Sequence, residues 1–202
     1  MSKKIKVFSS DQGYDLAAEF YDQKEKYLNS FEQNKILPLL GDIKDKQVLD
    51  IGAGTGRLSL QLVKGGAQVM ALDVSAKMLE LIKRKNKKIQ TTVADAESLP
   101  FDNGSFDVVT AAFLVVHLKD PTRFFDEVYR VLKDGGRFVV TNINQKDPPE
   151  VKTKEGDIII ESFYHRPEKI KEILESLAFQ VEQEVFVKEN DVWVNQILSA
   201  KK

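Results

Sequence analysis

Val48-Leu49-Asp50-Ile51-Gly52-Ala53-Gly54-Thr55-Gly56-Arg57 is the stretch from which the rest of the chain is read. It begins as a short apolar strand and passes through a glycine-dense turn. A helix follows near Leu58, with Leu58, Leu60, Leu62 and Val63 as its apolar residues. Alternate glycines let the backbone turn sharply and approach a ligand closely, because no Cβ blocks a positive φ. The helix behind the turn offers free N–H groups. The reading is a nucleotide-type cofactor site.

Departures from the dinucleotide fingerprint narrow that reading. The fingerprint G-x-G-x-x-G packs its third glycine between helix and strand and sets pyrophosphate on the helix N-terminus. Here the spacing is G-x-G-x-G, and Arg57 stands where the last glycine belongs. Asp50, two residues before Gly52, repels a pyrophosphate and favours a cation. A second strand, Gln68 to Leu72, leads into Asp73, 21 positions after Gly52, the distance at which a βαβ unit places the acid that binds a ribose diol. A third strand leads into Asp95. All three acids fall at the carboxyl edge of a sheet, where open α/β folds bind ligands.

Further along, strand and helix alternate: strands at 91–94, 106–112 and 137–143, helices at 57–64, 75–86, 120–133 and 167–177. Ser75 caps one helix; Asp120-Pro121 opens another and Asp134-Gly135-Gly136 ends it. Two final segments, Gln180 to Val187 and Val192 to Leu198, are joined by four polar residues and read as a hairpin. Ahead of the first strand, residues 11–40 read as helical, with Asp11 or Ser10 as a cap.

Five segments, the glycine motif among them, resemble a known family, the class I S-adenosylmethionine-dependent methyltransferases of the small-molecule, type 11 kind. They are Val48 to Gly56, Ala71-Leu72-Asp73-Val74-Ser75, Ala94 to Phe101, Phe106-Asp107-Val108-Val109 and Val131 to Gly136, in family order over about residues 46–142. The resemblance implies an α/β fold, a Rossmann-like three-layer αβα sandwich. Its seven-stranded, mainly parallel sheet ends in an antiparallel C-terminal hairpin. One domain spans 1–202: a helical N-terminal cap (1–45), a cofactor-binding core (46–143), a short substrate lid loop (144–166) and a final helix and hairpin (167–202).

The resemblance also implies roles. S-adenosylmethionine, with S-adenosylhomocysteine as product, is the implied cofactor, held around Gly52, Ala53, Gly54 and Gly56. Asp73 accepts the ribose hydroxyls, with a solvated strand-end acid as the alternative. Asp95 and the Ala96 amide read the adenine edge, or Asp95 caps a turn at 96–98. Asp50 orients the glycine loop or the cofactor's ammonium group. Val74 and Met78 contact the adenine, Met78 reading equally as core. Ala112 and Phe113 lie where the family's backbone carbonyls hold the cofactor's amino group. Tyr14 and Tyr21 belong either to a cap that closes over the methionine end or to the core. If the acceptor needs a base, the candidates are His117, His165, Tyr14 and Tyr21; an amine acceptor needs none.

Composition removes other classes. Thirty basic residues balance 31 acidic ones, so no nucleic-acid arm is indicated; the run Lys83 to Lys88 reads as a solvated helix end, with a phosphate patch as the alternative. No cysteine is present, which excludes disulfides and a cysteine nucleophile, and two histidines make a histidine metal site unexpected. The family's Asn/Asp-Pro-Pro-aromatic motif for nitrogen on bases is replaced by Thr110-Ala111-Ala112-Phe113, which argues against DNA. No apolar run approaches the ~18 residues that span a bilayer, and Met1 to Lys6 precede no leader-like apolar segment. The expectation is a cytoplasmic enzyme acting on a small-molecule acceptor, as a monomer or homodimer. The alternatives are a catalytically idle module that binds the cofactor or its product, a protein or RNA methyltransferase, and, disfavoured by Arg57 and Asp50, an NAD-linked oxidoreductase.

Overall fold

The computed structural model describes residues 6–202, with the side chains of residues 24 and 25 outside that description. Met1 to Ile5, part of the stretch read above for a leader, also lie outside it.

The main sheet has seven strands. In chain order they are β2 (Gln47–Ile51), β3 (Gln68–Asp73), β4 (Gln90–Val93), β5 (Phe106–Ala111), β6 (Leu132–Ile143), β9 (Gln180–Glu189) and β10 (Val192–Lys201). Their spatial order is β4-β3-β2-β5-β6-β10-β9. The first five are parallel, and β10 runs antiparallel to both β6 and β9. The expected sandwich with its terminal hairpin is therefore the observed fold. Asn190 and Asp191 turn that hairpin with φ of 47° and 63°, the paired left-handed geometry that fits the twist of the flanking strands.

Both faces of the sheet are covered, which is why its central strands read as nearly continuous apolar runs. On one face α6 (Thr122–Val131) and α7 (Pro167–Ser176) pack Phe124, Phe125, Ile170 and Leu174 against Leu49, Ile51 and Val109. On the other, α3 (Ile36–Leu39), α4 (Arg57–Lys64) and α5 (Ala76–Lys85) pack Leu39, Leu62 and Ile82 against Val48, Val69 and Val108. The order reverses between β2 and β5: β3 and β4 extend one way, and the chain then crosses to the other side of β2. This switch point opens the crevice above the glycine turn.

Helix boundaries follow local chemistry. Ser75 caps α5, its hydroxyl accepting from the Met78 amide at 3.1 Å. Asp120 accepts from the Thr122 amide at 3.0 Å, so α6 starts just after Pro121. That helix stops at Val131, earlier than the glycine pair suggests. Gly135, at φ 73°, instead shapes an irregular entry into β6, where the register shifts against β5.

Two elements depart from expectation. The 144–166 segment is no simple loop: β7 (Glu150–Thr153) and β8 (Gly156–Ile160) form an antiparallel hairpin, and β1 (Val7–Phe8) pairs parallel to β8. Val151, Ile158 and Ile160 bury against Ala17 of α1 (Ser10–Tyr21), giving the small sheet a core of its own. The cap of α1 is Ser9 rather than Ser10 or Asp11. Helix α2 (Glu25–Glu32) then carries the chain towards α3. Among the described residues, no helix is long and apolar enough to cross a membrane.

Candidate functional site

A cavity of about 480 Å³ lies over the carboxyl edge at the switch point, within the ~300–1,000 Å³ usual for small-molecule sites. Its floor is the glycine turn. Gly54 sits at φ 54°, and its amide donates to the Asp73 carboxylate at 2.8 Å. The other Asp73 oxygen accepts from the Ser75 amide at 2.9 Å. Two backbone donors thus fix the carboxylate while leaving further lone pairs for a ligand. Burial pushes the Asp73 pKa up, and these two N–H bonds pull part of that rise back.

Nine of the twelve expected cofactor residues line this cavity: Gly52, Gly54, Asp73, Val74, Met78, Asp95, Ala96, Ala112 and Phe113. Asp95 also caps its local turn, accepting from the Glu97 amide at 2.9 Å, as the second of its two readings expected. Ser10, Asp11, Glu97, Leu114 and Leu118 line the wall too, unforeseen from sequence. Of these, only Ser10 and Asp11 carried a signal, as helix-start residues.

Asp50, Ala53 and Gly56 lie off the wall. Strand alternation aims Asp50 under the turn, towards α4, where its two oxygens accept from the Ser59 hydroxyl at 2.6 Å and the Thr110 hydroxyl at 2.8 Å. Burial raises its pKa to about 6 against those two hydrogen bonds. Asp50 therefore ties the loop to the sheet and makes no contact with the ligand space, which removes it as a reader of ligand charge. Gly56, at φ 88°, is needed for packing, because a Cβ there would stand 2.9 Å from Ile82.

Arg57 is a clasp. Its guanidinium makes two bonds to Glu32 of α2, at 2.7 and 2.5 Å, and a third to Asn29 at 2.9 Å. Burial pulls its pKa down, and the Glu32 carboxylate more than reverses this. The residue that breaks the dinucleotide pattern thus anchors the N-terminal cap to the cofactor helix.

That cap carries Tyr14 and Tyr21, which line the cavity together with His117. Tyr14 Oη and His117 Nε2 are 2.8 Å apart, and His117 Nδ1 is 3.0 Å from the Glu161 carbonyl oxygen. A carbonyl only accepts, so Nδ1 carries the proton and Nε2 accepts from the tyrosine. Burial holds His117 below its usual pKa despite the carbonyl bond, so the ring is neutral with a lone pair on Nε2. Burial also raises Tyr14 well above 10 and Tyr21 to about 12, so both stay protonated. His165 is absent from the wall: its Nε2 lies 2.8 Å from the Leu118 carbonyl oxygen, a bond that holds the chain ahead of α7. Among the described residues, no group of three histidine or carboxylate side chains is placed to hold a metal.

Phe113 completes the edge at φ 61°, its amide donating to Thr141 Oγ1 at 2.9 Å. A non-glycine residue in that region costs roughly 1–2 kcal/mol and persists where its surroundings over-determine it. The cost turns the chain between β5 and the segment that leads to His117.

Comparison with known proteins agrees with this geometry. Residues 49–140 match the family described as Methyltransferase domain. A demethylmenaquinone methyltransferase of Clavibacter sepedonicus is 38% identical over 120 residues, covering 58% of this chain and 47% of that protein. Its namesake in Thermotoga maritima is 35% identical over 158 residues, covering 75% and 66%. The chain thus spans about half to two thirds of the length of these curated relatives. A Mesorhizobium loti S-adenosylmethionine-dependent methyltransferase has the same fold, with a TM-score of 0.72 at 19% identity over 85% of this chain and 97% of that one. By its motifs, its sheet order and these matches, the chain is similar to the methyltransferase-domain family over residues 49–140 and has the fold of S-adenosylmethionine-dependent methyltransferases.

Proposed function

We propose that this protein transfers the methyl group of S-adenosylmethionine to a small-molecule acceptor. The observation that carries the reading is Asp73: a buried carboxylate at the end of β3, fixed by the Gly54 and Ser75 amides and facing a cavity floored by the glycine turn. A ribose diol satisfies its remaining lone pairs with charge-assisted hydrogen bonds. Asp95 and Ala96, just after β4, suit the adenine edge. Four carboxylates on the cavity wall, Asp11, Asp73, Asp95 and Glu97, suit a cofactor with a sulfonium and an ammonium group. The match to the methyltransferase domain and the relatives named as methyltransferases support the same reading.

The bound cofactor supplies an electrophilic methyl on a sulfonium. The chain's part is to align donor and acceptor and to exclude water, which is worth several orders of magnitude in rate. Tyr14, Tyr21 and the α1 cap roof the cavity, and the neutral His117 provides a proton acceptor at Nε2.

Titration calorimetry with S-adenosylmethionine, S-adenosylhomocysteine and NAD tests the proposal, with Asp73→Ala alongside. The expected result is binding of the first two and none of NAD, weakened at least about tenfold in the variant. A folded wild-type protein that binds none of the three, or NAD alone, overturns the proposal. Binding without turnover on any acceptor leaves a ligand-sensing module instead of an enzyme.

A further inference from the structure

The hairpin that ends the main sheet leaves β9 as its outermost strand, ten residues long and, among the described residues, paired on one side only. Such an edge offers a row of backbone N–H and C=O groups to any other strand. Two irregularities bound its usable part. Gln183 pairs with Ser199 and Val181 with Ala200, so Glu182 is an extra residue that breaks the ladder, and Asn190-Asp191 turn the chain at the far end. Between them Gln183 to Glu189 run with no extra residue on this strand, and Phe186 stands in the middle.

The side chains of that stretch complement their own reverse. In an antiparallel pair of copies with a two-fold axis at Phe186, Phe186 meets the copy's Phe186, Val185 meets Val187, and Glu184 meets Lys188, the last two contacts each occurring on both sides of the axis. Alternation puts Glu184, Phe186 and Lys188 on one face and Val185 and Val187 on the other. The first face then carries an aromatic contact flanked by opposite charges, and the second extends the apolar cluster that Val185 and Val187 already join. Phe186 is 37% exposed, with Trp193 beside it at 6.3 Å. Lys188 makes no ion pair among the described residues, and Glu184 holds only a 3.4 Å contact with Lys171 and one hydrogen bond from Gln196. Charges on an edge strand ordinarily keep other strands away. Here a parallel copy would set like charges opposite, whereas the antiparallel copy sets glutamate against lysine.

We propose that β9 pairs antiparallel with β9 of a second copy of this chain, giving a two-fold homodimer with one continuous sheet across both chains. The axis stands normal to the sheet and reverses the strands of the second copy. The carboxyl edges, and the cavities above them, therefore open in opposite directions. Neither copy covers the other's cavity, so ligand affinity is the same in monomer and dimer. One strand a side is well short of the ~20–30 residues a side of a standard interface, which sets the expected dissociation constant at about 10–100 µM.

Sedimentation equilibrium of the full chain from about 5 to 500 µM tests the proposal. The wild type should pass from the mass of one chain to that of two. Phe186→Asp sets two carboxylates together on the axis and should weaken association at least about tenfold. Lys188→Glu alone and Glu184→Lys alone each oppose like charges on both sides of the axis, and each should weaken it by about as much. An equimolar mixture of those last two variants should dimerise as tightly as the wild type, because every glutamate then faces a lysine. Denaturant midpoints of the single variants separate a lost interface from a lost fold. A wild-type chain that stays single up to about 500 µM overturns the proposal. So does a dimer that withstands the three substitutions, or a mixture of folded variants that does not recover.

Discussion

Replacing Asp50→Asn isolates the energetics of a buried carboxylate that lies beneath the ligand space. Asp50 is 2% exposed, and both of its partners, Ser59 and Thr110, are fully buried. Its pKa rises from 3.8 to about 6 on folding, and a rise of that size is worth about 3 kcal/mol. The folded state holds the proton more tightly than the unfolded chain. The stabilisation is therefore complete below pH 3.8 and is lost as pH rises through about 6. Asparagine has no such dependence. It keeps one acceptor oxygen, and one of the two hydroxyls must rotate to accept from the new amide, as one must for the protonated acid. Urea unfolding at steps between about pH 4.5 and 7.5 measures the difference, because every other titrating group cancels between the two proteins. The variant should gain about 2 kcal/mol on the wild type across that interval. It should match the wild type at the acidic end and be the more stable protein by about 2 kcal/mol at the neutral end. Two parallel stability curves refute the assignment of a costly ionised Asp50.

Glu32→Gln leaves the Arg57 guanidinium, 12% exposed, without its counter-charge, and should lower the unfolding free energy by about 3–5 kcal/mol. Denaturant midpoints check this, and the double variant Glu32→Leu with Arg57→Met should recover most of the loss. His117→Asn should lower kcat by about a hundredfold or more. In the wild type, kcat/KM should rise with pH through a His117 pKa below 6.5, because the deprotonated ring is the active form. A pH–rate profile without that acidic limb rules His117 out as the proton acceptor.

The glycine turn, the Ser75 cap, the strand-end acid Asp73 and the final hairpin were legible because each is a local device. Spacing, a capping hydroxyl or a turn-forming pair such as Asn190-Asp191 specifies it within a few residues. What stayed hidden depends on contacts far apart in sequence. Tyr14 and His117 are 103 positions apart, and Arg57 reaches back 25 positions to Glu32. The same limit explains the small sheet. Its strand pattern is short and interrupted by charge, and β8 is completed by Val7 and Phe8 near the other end of the chain. The two readings of Asp50 could not be separated by position; alternation along β2 turns its side chain towards α4, where it bonds Ser59 and Thr110, the arrangement that the loop-orienting reading expects. His165 could not be separated from His117 by pattern, since only the tertiary fold shows which ring faces the cavity.

The contacts of the N-terminal cap divide its energetics. Helix α2 is held by the buried Arg57–Glu32 pair, whose rupture leaves an uncompensated charge in a site with little water. Helix α1 is held to the cofactor core by lighter means. Asp15 accepts from the Ser75 hydroxyl and the Lys77 amide, and Asp22, just beyond the helix, pairs with Lys85 at side-chain exposures of 47% and 31%. An exposed pair of that kind contributes ~0–1 kcal/mol. Tyr14 and Tyr21 both ride on α1, so the side chains that roof the cavity belong to the more weakly tethered element. Admission of a ligand therefore costs least if α1 moves with the small sheet it packs on while α2 stays in place. Such a motion breaks the Tyr14–His117 hydrogen bond on opening and restores it on closing. It couples exclusion of water to the forming of the Tyr14–His117 hydrogen bond.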